Sequence, residues 1–235
     1  MIVLGLDSAG KAASVALLRD GEPLYAASLR AGLTHSETLL PLCAEALRAA
    51  GLAPQDVDLY AVNAGPGSFT GLRIGLASVK GLCFPFGTPC AGVSTLESLA
   101  FSLPVSGSVL GALDARRGEV YCAAFTMDNG TPSRVCDDHS AKASDLYALA
   151  ASLPAPLHLM GDGAHLAAAA LEGRLPFRLV PSPWRLGSAV GVCRCALAHP
   201  ELHTQAECLI PDYHRLSQAQ RERAQRLGLD PSSLA

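Results

Sequence analysis

Apolar residues come in short dense runs parted by turn residues, and after the first three runs the spacing changes to a helical one. Ile2–Leu6, Ala12–Leu18 and Leu24–Leu29 are the three runs, and Asp20-Gly21 before the last is the preferred two-residue hairpin turn. They predict three consecutive antiparallel strands. A helix over 34–50 follows, opened by the capping pattern Thr34-x-x-Glu37 and closed by Gly51. Its apolar residues, from Leu39 to Ala50, sweep roughly 160° at about 100° per residue, against a usual stripe of about 100°. One contact with a core does not use so wide a face. Pro41 in the second turn removes a backbone bond and invites a kink.

The next stretch, Leu59 to Phe84, organises the rest. Leu59–Asn63 lacks alternation, as a strand covered on both faces does. A bend rich in glycine (64–69) leads into a helix from about Thr70, which is read as its N-cap. Small residues recur at four-residue spacing, Gly71/Gly75 and Ala77/Gly81. Glycine inside a helix costs about 1 kcal/mol against alanine, so some group packs very close. A strand, a glycine bend and a helix N-terminus suit an anion, but close approach of another backbone explains the same glycines. Both readings stay open from the pattern alone. A strand at 90–93 and a helix at 94–101 extend the βββαβα order, with a switch from antiparallel to parallel pairing.

A Pro/Ser/Gly stretch over 103–107 reads as a boundary. Beyond it, strands are predicted at 108–113 and 119–125 about a turn at 114–118, with another turn at Asp128-Asn129-Gly130. Helices at 144–152, 164–171 and 188–198 alternate with strands at 157–160 and 177–180. This divides the chain into a first lobe (1–104), a smaller second lobe (105–217) and a polar tail (218–235) that is expected to fray.

Composition narrows the function classes. The 235 residues are 49% hydrophobic and 17% charged, which supports a packed core and excludes general disorder. The formal charge of −3 offers no chain-wide basic field for nucleic acid. No apolar run approaches the ~20 residues of a membrane-spanning helix. Met1 is followed directly by a strand pattern without a basic stretch, so no secretory signal and a cytoplasmic location are expected. The eight cysteines lie mostly in apolar runs and read as reduced, buried thiols.

Several motifs carry possible chemistry. Residues 5–12, GLDSAGKA, nearly spell a phosphate-binding loop, but Ala12 stands where the magnesium-binding hydroxyl belongs and the chain continues as a strand. Asp7, at the end of the first strand, could hold a metal-nucleotide or act as a base; equally, it could satisfy turn amides. Gly65-x-Gly67-x3-Gly71 is one residue too long for a dinucleotide fingerprint. Cys193-x-Cys195-x3-His199-x3-His203 fits no common zinc module, and the cysteines fall on an apolar helical stripe; core cysteines with exposed histidines are the expectation, and no metal site. Asp114–Glu119 (DARRGE) is a charged turn that could meet a phosphate or an acidic partner, or simply face solvent.

VLGLDSAGKAASVALL, THSETLLPLCAEAL, GPGSFTGLRIGLASVKG, LDARRGEVY and GDGA together resemble the TsaB (YeaZ) family, through nearly the whole chain to about residue 215. That family belongs to the bacterial machinery for threonylcarbamoyladenosine at position 37 of tRNA. The resemblance implies an α/β fold of the actin/Hsp70 (ASKHA) type with two RNase-H-like lobes. It also implies a non-catalytic scaffold subunit, without cofactor, that forms a heterodimer with a TsaD-like catalytic paralogue. A TsaE-like ATPase would join the complex, tRNA would be engaged only indirectly, and the chain alone could form a homodimer. The catalytic paralogue carries a His-x3-His metal pair after a Gly-Val step; here Thr95 and Leu99 occupy those places. The helices at 34–50 and 70–84 would then meet their counterparts, with Leu39, Leu42, Cys43, Ala46, Leu72, Arg73, Leu76 and Lys80 as interface positions. Asp7, Gly65, Gly67, Ser68 and Thr70 would line a vestigial nucleotide cleft. The chain departs from the family's pattern at Asp7-Ser8-Ala9, usually Asp-Thr-Ser, and at Pro211–Arg215, usually a more apolar Pro-x-Tyr-Leu-Arg. An ATP-dependent phosphotransferase of the sugar-kinase type, using Asp7 and the glycine bend, is the alternative function. A metallopeptidase is a remote one, since no His-Glu-x-x-His occurs.

Overall fold

The computed structural model describes residues 1–30, 32–214 and 226. Arg215 and the tail expected to fray lie, Arg226 apart, outside the described residues. The first strands, β1 (Ile2–Asp7), β2 (Ala13–Arg19) and β3 (Glu22–Leu29), form the expected antiparallel meander. Asp20 and Gly21 take φ of 52° and 85°, the left-handed pair that a two-residue hairpin requires. Helix α1 (His35–Ala50) begins with the Glu37 carboxylate accepting from the backbone N–H of Thr34 at 3.0 Å and from its hydroxyl at 2.7 Å.

After α1 come β4 (Leu59–Gly65), α2 (Phe69–Cys83), β5 (Cys90–Ser94) and α3 (Thr95–Phe101). β4 pairs parallel with β1 and with β5, so pairing switches from antiparallel to parallel at β1. The second sheet opens with β6 (Gly107–Arg116), β7 (Glu119–Asp128), β8 (Thr131–Arg134) and β9 (His139–Lys142). It is completed through α4 (Leu146–Ala151), β10 (Leu157–Met160), α5 (Ala164–Leu171) and β11 (Arg178–Leu179). Then follow α6 (Ser182–Arg185), α7 (Ala189–Ala198) and β12 (His203–Thr204). The sheets run β12-β5-β4-β1-β2-β3 and β11-β10-β6-β7-β8, with β9 beside β7. Two mixed sheets, each flanked by helices, make the two-lobed actin/Hsp70-like architecture.

One assignment is corrected. Residues 189–204, placed in the second lobe from their position along the chain, build the first. β12 pairs antiparallel with β5, and Ala189, Val192, Cys193 and Ala196 of α7 pack with Val3, Ala16, Leu59 and Ala91. The Sγ of Cys193 sits 3.7 Å from the carbonyl of Ala16, and a Cβ on Gly5 would overlap it. The glycine of the near phosphate-loop pattern is therefore required by helix packing.

The opposite face of the first sheet carries α1 and α2, and the second sheet carries α4 and α5. Helix α3 stands between the lobes: Phe101 joins the first core, while Leu96 and Leu99 pack with Val109, Phe125 and Met160 of the second. No helix among the described residues is long and apolar enough to cross a membrane.

Candidate functional site

The glycine bend meets backbone rather than open space. Helix α2 starts at Phe69, and its N-cap is Ser68, whose hydroxyl accepts from the Gly71 N–H at 3.3 Å; Thr70, expected as the cap, is exposed one position inside the helix. A Cβ on Gly71 would collide with the Ser8 carbonyl, one on Gly75 with the Ser8 hydroxyl, and one on Gly65 with the Asp212 carbonyl. The Ser8 hydroxyl donates to the Gly71 carbonyl at 2.9 Å, and the Ser68 N–H donates to the Ala9 carbonyl at 2.8 Å. Gly71 and Gly75 thus exist so that α2 can lie on the β1–β2 turn.

The segment 211–214 closes this end. The Asp212 N–H donates to the Ala64 carbonyl at 2.8 Å, and the Tyr213 ring stacks on Phe69 at 4.4 Å between centroids. Arg73 covers the Phe69 ring at 4.0 Å and donates through Nε to the Tyr213 hydroxyl at 2.7 Å. Sequence reasoning missed this clasp; the tyrosine at 213 was its only signal, because the partners are far apart in the chain.

Between the lobes lies a cavity of about 350 Å³, bounded by the 66–69 bend, Lys11, the β6–β7 turn and Tyr213. Gly67 and Ser68 line it as expected; Gly65 is covered by Asp212, and Thr70 does not reach it. Its permanent charges are mixed, Lys11 and Arg116 against Asp114, Asp162 and Asp212. Arg116, Arg117 and Gly118 have φ of 69°, 58° and 77°, and the Asp114 carboxylate accepts from the Arg116 N–H at 2.8 Å. Asp7 faces a much smaller recess shared with Lys11, Thr95 and Asp162. It is 9% exposed, and its Oδ1 accepts from the Ala9 N–H at 2.9 Å, the turn-satisfying role. Burial pushes its carboxyl above the ordinary range, with the Ala9 and Asn63 hydrogen bonds opposing.

The interface positions need correction. Leu39, Cys43, Ala46, Leu72 and Leu76 are 0–4% exposed and belong to the lobe's own core. The wide arc of α1 is consumed internally, because α1 lies against β2, β3 and α2 together. Leu42 and Lys80 are half-buried, and exposed Arg73 is engaged in the clasp. The small and apolar residues that do face outward are Leu40 (47% exposed), Pro41, Ala44 and Ala49 on α1, with Leu33 just before it, and Ala77 and Gly81 on α2; polar Ser36, Glu37, Glu45 and Arg48 are exposed on α1 as well, and Thr70 and Arg73 on α2. Nothing in the described chain lies within 4 Å of a Cβ on Gly81.

Thr95 and Leu99 are each 3% exposed at the root of the cleft, and the Thr95 hydroxyl has no hydrogen-bond partner among the described residues. Farther round, Cys193 and Cys195 are buried as expected, but His199 is only half-exposed and bonds to two carboxylates, Glu97 and Glu201.

Fold and cleft define the class: a two-lobed actin/Hsp70-like protein whose glycine bend serves packing. A family model described as TsaD, tRNA N6-adenosine threonylcarbamoyltransferase, matches residues 30–193, more than half of the chain. The TsaB of Haemophilus influenzae, named a tRNA threonylcarbamoyladenosine biosynthesis protein, is 40% identical over 124 residues, 52% of each chain. The Bacillus subtilis protein of that name is 28% identical over 229 residues, 94% of this chain and 96% of its own. The match thus spans about half of the Haemophilus relative and nearly all of the Bacillus one. A crystal structure from Pseudomonas aeruginosa, described as similar to peptidase YEAZ, superposes with a TM-score of 0.79 at 29% identity, covering 91% of this chain and 99% of that one. The chain belongs to the TsaD family and, within it, to the TsaB/YeaZ group.

Proposed function

We propose that this chain is a cytoplasmic, non-catalytic subunit in N6-threonylcarbamoylation of tRNA adenosine, docking to a TsaD-like catalytic partner through the outward faces of α1 and α2. The observation that carries this is the outer edge of α2. Gly81 costs about 1 kcal/mol in a helix, yet among the described residues nothing beyond its own helix turn lies within 4 Å of where its Cβ would stand. With Ala77 it offers a flat place for a second helix, and the neighbouring α1 exposes apolar Leu40, Pro41 and Ala44. The pseudo-enzyme reading draws support from Thr95 and Leu99. They stand where the catalytic paralogue is expected to carry its histidines, and leucine cannot ligate a metal.

A TsaE-like ATPase would join the same assembly, and tRNA would be met through the partner. With no partner present, the same helices could pair two copies of this chain. The test is depletion of the protein followed by mass spectrometry of tRNA nucleosides: threonylcarbamoyladenosine should fall, and unchanged levels overturn the proposal. Affinity capture with the chain as bait should return the TsaD-like protein in stoichiometric amount, and losing it on Leu40→Glu places the interface.

The sugar-kinase alternative is favoured by the interlobe cavity with Lys11, Arg116 and Ser68 around it. Calorimetry with magnesium-ATP on the isolated chain separates the two readings, since the kinase needs tight binding and the scaffold does not.

A further inference from the structure

We infer that α3 and the C-terminal end of α7 form a binding site for a thiophilic divalent cation of the zinc class, with Glu97 Oε1, Cys195 Sγ and His199 Nε2 as its ligands. These atoms come from two helices packed on each other and all lie within 4.8 Å of one another. His199 caps α7 and donates its N–H to the Cys195 carbonyl at 3.1 Å, the helical four-residue step that sets the two on one side. A tetrahedral zinc ion holds N, O and S ligands at about 2.0–2.3 Å, so side-chain shifts of about 1 Å would close the set.

The groups behind the ligands are already in place. His199 Nδ1 meets Glu201 Oε1 at 2.8 Å, which turns Nε2 toward Glu97 Oε1 at 2.9 Å. A carboxylate behind a ligating imidazole is the usual second support of a metal-bound histidine. The other oxygen of Glu97 is held by Arg134 at 2.6 Å, and Arg134 also holds Asp138 at 2.6 Å. Two of the three ligands, His199 and Glu97, are therefore tied by their far sides.

Charge points the same way. Glu97 and Asp138 share Arg134, Glu201 bonds the His199 ring, and His203 is turned aside with its Nε2 on the Ala196 carbonyl. A cavity of about 300 Å³, lined by Glu97, His199, Glu201 and Asp212 among others, opens beside the cluster. A metal ion there would meet two carboxylates, Glu97 directly and Glu201 through the His199 ring. Metal binding would expel the proton on the Cys195 thiol, so affinity should climb with pH.

The test is titration of the metal-free full-length protein, tag removed, with cobalt(II) and then zinc. A thiolate-to-cobalt charge-transfer band that zinc bleaches is expected. Zinc affinity should fall at least about tenfold in Cys195→Ser and His199→Gln, and several-fold in Glu201→Gln, while Cys208→Ser leaves it unchanged. No thiolate band, or the same zinc affinity in wild type and His199→Gln, overturns the site and leaves His199 hydrogen-bonded between two carboxylates. Should Cys195→Ser fail to fold, His199→Gln decides, because that ring is half-exposed. The outcome is independent of docking through α1 and α2.

Discussion

The Ser8 carbonyl occupies the space that a Cβ on Gly71 would need, and the Ser8 hydroxyl donates back to the Gly71 carbonyl at 2.9 Å. This reciprocal contact binds the turn after β1 to the first turn of α2, where an anion-binding loop would have left room. Gly71→Ala should therefore cost about 1–3 kcal/mol through forced backbone movement, read as a fall of roughly 2–4 °C in Tm per kcal/mol.

Gly81→Ala should behave oppositely. With nothing near its missing Cβ, the isolated chain should gain up to about 1 kcal/mol of helix stability. If α2 docks as proposed, partner affinity should drop about tenfold, a loss of about 1.4 kcal/mol. Thermal melting and a binding isotherm on the same variant separate the two effects.

Leu40→Glu and Leu39→Glu form a matched pair on adjacent positions. The first, on an exposed side chain, should leave folding intact and abolish co-elution with a TsaD-like partner. The second buries a carboxylate in the core and should cost more than about 4 kcal/mol. Circular dichroism with size-exclusion chromatography distinguishes them; equal behaviour would contradict the burial pattern.

Tyr213→Ala removes the stack on Phe69 and the Arg73 hydrogen bond, together worth about 1–2 kcal/mol. The clasp should open locally without global unfolding. Amide hydrogen exchange at Asp212, whose N–H is held by the Ala64 carbonyl, should speed up while core amides of β1 and β4 stay protected.

Asp7 yields a pH signature. Its folded-state pKa is raised above 3.8 by burial, so the native state binds more protons than the unfolded chain between 3.8 and the raised value. Stability falls as pH climbs through that window, and the cost persists at neutral pH. Asp7→Asn keeps an oxygen to accept the Ala9 N–H and removes the charge. Its Tm should exceed wild type at pH 7, with the gap closing below pH 3.8. A constant gap across that range would show that the carboxyl titrates normally.

Strands and turns were legible because their causes are local. Asp20-Gly21 and Asn129-Gly130 dictate left-handed turn geometry by themselves, and both occur. The same holds for the Thr34/Glu37 cap and for the unalternating β4. The family, too, could be read from contiguous motifs. The use of each face was not legible, since it depends on what arrives from elsewhere in the chain. The wide arc of α1 was read as a docking face, but β2, β3 and α2 consume it together. The small residues of α2 divide by direction: Gly71 and Gly75 face Ser8, whereas Ala77 and Gly81 face outward. Spacing of four residues marks both pairs alike and cannot tell them apart.

Amino-acid order thus settled most elements and their turns through short-range sterics and hydrogen bonding, but not the short β8, β9, α6 and β12, which carry no periodic pattern of their own. Tertiary packing settled that α7 completes the first lobe, that Asp212 covers the glycine bend, and that Glu97 meets His199. Those contacts join residues about a hundred or more positions apart, and pairwise burial and charge at such range leave no periodic trace in the chain.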